Sequence, residues 1–167
     1  MANVELAIDY ALGWEDSTLS GVITKTADGK RTRFGIDEHW HPELTNSLFF
    51  SSMGRLAALQ VARGLYEREY AQPLCIAEIA NQDVANKLLS LGINIGVVPA
   101  AKMLQEVLGV EGDGRIGPLT LDNLERFDAG HVLDELRISA ETYYESIVAR
   151  NPADAVNLPG WLRRVTA

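Results

Sequence analysis

The first residues with chemical meaning are Trp14 and Glu15, an acid directly after an indole at the exit of an amphipathic stretch. Glycoside hydrolysis needs a carboxyl group that donates a proton to the leaving oxygen, in a cleft whose apolar walls favour the protonated acid. It usually needs a second polar or acidic group to position water or balance the developing positive charge. Glu15 has an aromatic neighbour and a polar segment after it, which suits that role. Local chemistry alone favours a simpler reading, in which Glu15 and Asp16 are exposed charges at a helix end.

Other chemistries are poorly served. No G-x-S-x-G motif is present, and the single cysteine, Cys75, opens an apolar run after Pro73 and Leu74, where it reads as a buried thiol. His39 and His41 flank Trp40, a spacing that can hold zinc. No further His or Cys cluster completes such a site, and the two read as solvated loop residues. The segment Glu111-Gly112-Asp113-Gly114-Arg115 hints at a calcium loop, but Asp122 and Glu125 are badly spaced for its bidentate acid. A turn between helices is the better reading. No metal or cofactor is expected.

These residues need elements to position them. Val4, Ala7, Ile8, Ala11 and Leu12 recur at helical spacing over 3–13, and Gly13 is the expected stop. Residues 22–26 and 31–36 are β-capable and flank Asp28-Gly29, which predicts a hairpin or irregular lobe over 14–37. From residue 52 onward the pattern is helical: 52–71, 75–92 with Gly92 as a stop, 99–108, a short helix from Pro118, 130–149, and a last one around Trp161. The stripe Leu133, Leu136, Ala140, Tyr143, Ile147 suits a core or a partner. The expected fold is mostly α, a lysozyme-like helical domain with a small lobe near residues 14–37.

The 167 residues suit one domain, with 47% hydrophobic and 23% charged residues in an ordinary globular balance. A net charge of −8 argues against nucleic-acid binding, although Lys25, Lys30, Arg31 and Arg33 form a local basic cluster. Glu5 and Asp9 interrupt the apolar residues near the start, as in an amphipathic helix rather than a secretory signal. Apolar stretches fall short of the ~20 residues of a membrane span. A monomer made in the cytoplasm, reaching any wall substrate by release or another export system, is expected.

Several motifs together add a resemblance. Leu12-Gly13-Trp14-Glu15 followed by Thr32-Arg33-Phe34-Gly35-Ile36 resembles the glycoside hydrolase family 108 N-acetylmuramidases, with their acid motif and T-x-x-G-I element. Gly92-Ile93-Asn94-Ile95-Gly96 looks like the family's V-N-x-G segment. Residues 104–110 (L-Q-E-V-L-G-V) with 113–121 (D-G-R-I-G-P-L-T-L) look like its peptidoglycan-binding-type region, here placed over 84–167 within the one domain. Residues 160–165 are similar to its ending.

The resemblance implies cleavage of the β-1,4 bond between N-acetylmuramic acid and N-acetylglucosamine in peptidoglycan. It places Glu15 as the acid, Thr32 as a water-positioning residue, Asp28 as the loop aspartate and Asn94 as a sugar contact. Trp14, Trp40, Tyr66 and Tyr70 are candidates for stacking on sugar rings, and core packing suits Tyr66 and Tyr70 equally well. This sequence departs from the family after the acid, where Asp16, Ser17 and Thr18 replace glycines and a tyrosine. Asp16, Asp37 or no acid at all are alternatives for the second group, and Ser90 stands where the family often has an aspartate. Two rivals to an enzyme are a non-catalytic peptidoglycan-binding module and a phage or toxin interaction protein on the same fold.

Overall fold

The computed structural model of the protein describes residues 1–26 and 29–166. In chain order it contains α1 (Val4–Glu15), a sheet of β1 (Thr24–Lys25), β2 (Arg31–Arg33) and β3 (Ile36–Asp37), then α2 (Arg55–Tyr66), α3 (Gln82–Ile95), α4 (Val97–Val107), α5 (Pro118–Leu124), α6 (Ala129–Arg150) and α7 (Leu158–Thr166). Short 3₁₀ turns and one π turn (Glu67–Ala71) link them. The fold is mostly helical and consistent with a lysozyme-like layout, as the periodicity predicts.

Helix α3 is the centre. Asn81 starts it by accepting from the N–H groups of Asp83 and Val84 at 2.9 and 3.1 Å, which fills donors that a helix start leaves open. Val84, Leu88 and Leu91 are buried, and α1, α4 and α6 pack around them. Each such side chain contributes on the order of 2 kcal/mol on removal from water. The expected stop at Gly92 is wrong: the helix runs on to Ile95. Gly92 is there for clearance, because a Cβ would meet Leu74 Cδ1 at 2.5 Å. The stretch 75–81, expected to be helical, instead holds a 3₁₀ turn at Ile76–Glu78, after which Asn81 restarts the chain.

Helix α1 also outruns its expected end. Gly13 stays helical, and the chain leaves only after Glu15, where Asp16 takes an extended φ of −150°. The carboxylate of Asp16 then gathers the departing loop, accepting from Gly21 N–H at 2.7 Å and from the Thr18 and Ser20 hydroxyls. Burial alone would raise the pKa of Asp16, but these hydrogen bonds outweigh it and hold it below the usual value.

The hairpin expected over 22–36 is present, with Thr24 opposite Thr32, and β3 adds a third antiparallel strand. The basic cluster is not a free patch. Arg33 is buried and donates to the carbonyls of Gly21, Phe49 and Met53. Arg31 forks onto Glu38, with Nε–Oε2 at 2.9 Å and Nη2–Oε1 at 2.5 Å, and also reaches the Phe50 carbonyl. Both cations brace the lobe from inside, because a sheet this small has too few apolar residues to hold its loops.

The Arg31 hydrogen bond pulls the pKa of Glu38 down to about 2. On acidification the unfolded chain takes up this proton near the ordinary glutamate value, before the folded one does. The stabilisation is therefore present above that value and is lost as pH falls towards 2. Melts at pH 7, 4, 3 and 2.5 are expected to show a smaller acid-induced drop in Tm for Glu38→Gln than for the wild type.

Candidate active site

The turn joining β2 to β3 builds the floor of the site. Arg33 pairs with Ile36, so Phe34 and Gly35 form a two-residue turn, and both take positive φ, +50° and +75°. That combination marks the tight hairpin turn whose twist matches its strands. It is unusual for a phenylalanine. The Phe34 ring is buried, its edge lies over Gly21, and its carbonyl accepts from the Tyr66 hydroxyl at 2.8 Å. These contacts hold the turn in place.

Glu15 lies against that turn. A Cβ on Gly35 would stand 2.7 Å from Glu15 Cγ and 2.6 Å from the Tyr66 hydroxyl, so only a glycine lets the acid settle on the backbone. Glu15 Oε1 accepts from Arg164 Nη2 at 2.6 Å, across 149 positions of sequence. The Arg164 guanidinium also sits 5.9 Å from the centre of the Trp14 ring. Among the described residues none donates to Glu15 Oε2.

A cleft of about 410 Å³ opens here, lined by Trp14, Glu15, Asp16, Thr24, Thr32 and Gly35 among others. Glu15 and Thr32 therefore share one cavity. The Thr32 hydroxyl donates to Asp37 Oδ2 at 3.3 Å, and Asp37 Oδ1 is occupied by the His39 N–H. With its hydrogen given to Asp37, Thr32 offers a neighbour only acceptor lone pairs.

The remaining sequence candidates separate. Trp14 is on the cleft wall, partly exposed. Tyr66 is buried beneath it, and burial, reinforced by the Glu15 charge, raises its pKa far above that of a free phenol. Tyr70 is half-buried beside Tyr66 and is raised by burial, with Glu69 and Glu15 adding. Trp40 follows β3 in an exposed turn, edge-on to His39. Asn94 is taken up elsewhere: its amide donates to the buried Tyr144 hydroxyl. Ser90 is buried without a hydrogen-bond partner for its Oγ, and Cys75 donates to the Ile116 carbonyl. Asp28 lies outside the described residues. Asp16 is engaged in its own loop, which leaves Asp37 as the acid joined to Thr32.

Sequence reasoning assigned no role to Arg164, Gly35 or Lys87. Lys87 is buried on α3, and its ammonium donates to the backbone carbonyls of Arg164 at 3.0 Å and Val165 at 2.8 Å. Burial, with Arg137 and Arg164 adding, pushes its pKa down to about 8.

The L-Q…D-G-R signature has a structural explanation. Gln105 is buried, and its amide donates to Asp113 Oδ1 at 2.7 Å, the Arg115 carbonyl at 3.0 Å and Thr120 Oγ1 at 3.3 Å. Its oxygen accepts from Gly114 N–H at 2.8 Å. One side chain thus ties the whole loop to α4. Gln105→Ala strips buried partners of their bonds and is expected to cost about 2–3 kcal/mol, read as a lower denaturant midpoint in chemical unfolding.

Comparison with known proteins agrees with this layout. Residues 99–166 match the family described as "Predicted Peptidoglycan domain", which marks this part of the chain as peptidoglycan-related. No curated protein matches. The solved structure titled "Structure of Brucella abortus SagA" is similar with a TM-score of 0.75 and 21% identity, over 98% of this chain and 89% of that one. At that identity the likeness establishes a shared fold, spanning the lobe with Glu15 as well as the helical body.

Proposed function

We propose that this protein hydrolyses the β-1,4 bond between N-acetylmuramic acid and N-acetylglucosamine in bacterial peptidoglycan, as the family 108 muramidases it resembles do. The observation that carries the reading is the shared cleft of Glu15 and Thr32, with Glu15 bonded to Arg164 from the peptidoglycan-related segment. Arg164 holds Oε1, so Oε2 is the oxygen that carries the donated proton to the leaving group. Thr32, its own hydrogen directed to Asp37, accepts a hydrogen bond from the attacking water, and as the water oxygen bonds to the anomeric carbon its proton passes through the Thr32 hydroxyl to the Asp37 carboxylate. Trp14 supplies an apolar wall for a sugar ring. No cofactor is required, and the protein acts on the wall after release or export by another system.

A second reading is favoured by one observation: the Glu15–Arg164 pair at 2.6 Å and the loop bonds of Asp16 commit both neighbouring acids to structural contacts. On that reading the chain binds peptidoglycan without cutting it. Incubation with purified peptidoglycan, assayed for new reducing ends alongside a pull-down on the insoluble wall, separates the two. Reducing ends are expected; binding with none released would transfer the assignment to the binding module.

A further inference from the structure

Lys87 is a buried cation on α3, and its partners show what the charge does there. The carbonyls of Arg164 and Val165 belong to the last turn of α7, where a helix has no internal donors and carries its partial negative charge. Lys87 reaches them from a different helix and fills both at once. Arg164 is thereby held at its two ends, its carbonyl by Lys87 and its guanidinium by Glu15 and the face of Trp14. Burying a lone cation is a poor route to stability, since apolar replacements of buried charges are often neutral or better. What the ammonium supplies is a fixed place for the end of α7.

We infer that Lys87 is a positioning residue for the proposed hydrolysis: by anchoring the Arg164 and Val165 carbonyls it sets where α7 presents the Arg164 guanidinium to Glu15. The inference rests on the proposed role of Glu15. The charged and titratable groups around the ammonium are Tyr10 from α1, Asp83 on α3 itself, Arg137 from α6 and Arg164 from α7. No side chain among these accepts a hydrogen bond from Nζ, whose two acceptors among the described residues are the Arg164 and Val165 backbone carbonyls.

The test uses Lys87→Met, Lys87→Arg and Lys87→Gln in the full chain. With soluble peptidoglycan fragments, Lys87→Met is expected to lower kcat about tenfold with KM nearly unchanged, the pattern of a lost transition-state contribution. Lys87→Arg is expected to recover most of the loss. In the wild type kcat should decline above about pH 8, and in Lys87→Arg that decline should move to higher pH. Wild-type kcat and pH profile in Lys87→Met would overturn the inference. If Lys87→Met does not fold, Lys87→Gln, which keeps N–H donors, takes its place.

A melting-temperature cycle of Lys87→Met with Glu15→Ala, which removes the acceptor for Arg164, reads the link without any activity. The two residues make no direct hydrogen bond, so their effects should add unless Arg164 joins them. Lys87→Met is expected to lower Tm by about 2 °C less in the Glu15→Ala background. An additive cycle overturns the positioning role whatever the activity. A non-additive cycle in a protein that releases no reducing ends overturns the hydrolysis reading and leaves the link intact.

Discussion

Glu15→Gln is expected to lower the release of reducing ends from peptidoglycan about a thousandfold, within the range that general acid catalysis supplies, while Tm stays within a few degrees of the wild type. The substitution separates two things that Glu15 does. Glutamine has the same shape, so it still rests on Gly35, and its amide oxygen still accepts from Arg164. It has no proton to give to a leaving oxygen. A large loss of rate with retained folding therefore isolates proton donation from support of α7. Wild-type activity in Glu15→Gln would remove this residue from the mechanism. Glu15→Asp is a companion variant, since it keeps the acid but withdraws it by one methylene from Arg164.

The second large effect is expected at Gly35. Gly35→Ala puts a methyl group 2.6 Å from the Tyr66 hydroxyl and 2.7 Å from Glu15 Cγ, at a residue whose φ is +75°. Neither neighbour yields readily, because Tyr66 is buried and bonded to the Phe34 carbonyl and Glu15 is bonded to Arg164. Left-handed backbone costs an alanine on the order of 1 kcal/mol and overpacking adds about 1–3, which corresponds to roughly 5–12 °C in Tm for a chain of this size. Hydrolysis should fall further than stability explains, since the acid itself is displaced. Gly64→Ala is the control: its added methyl meets nothing within 4 Å in the last turn of α2, and it should leave Tm unchanged or slightly raised. Equal Tm values for the two variants would show that the Gly35 turn does not brace the acid.

The helical body was legible because its signal is local. Periodic apolar residues placed α1, α4, α6 and α7 within a few positions of where they lie, and Asp28-Gly29 announced the hairpin. The misreadings have a common cause, which is that packing decides what a residue type means. Gly92 looked like a stop and is a contact surface for Leu74, and Arg31 and Arg33 looked like a patch and are internal braces. Asn94 was read as a sugar contact through resemblance, and its amide is bonded to Tyr144. Within the candidate site, motif and resemblance singled out Glu15 and Thr32, and both line one cleft. Arg164 was not, since no local pattern tells an arginine in the last helix that its partner is at the end of the first. Gln105 was visible only as part of a signature, and its four hydrogen bonds explain why that signature pairs a glutamine with an Asp-Gly turn.

The span of the Glu15–Arg164 pair has a consequence for the order in which the protein assembles. Closing a loop of 149 residues carries a larger entropic cost than forming any single helix or the lobe hairpin, so the pair belongs among the late events of folding. Synthesis imposes the same order, because the first helix has left the ribosome long before the last is made. A nascent chain therefore carries Glu15 without the cation that orients it, and the ion pair forms only when α7 docks.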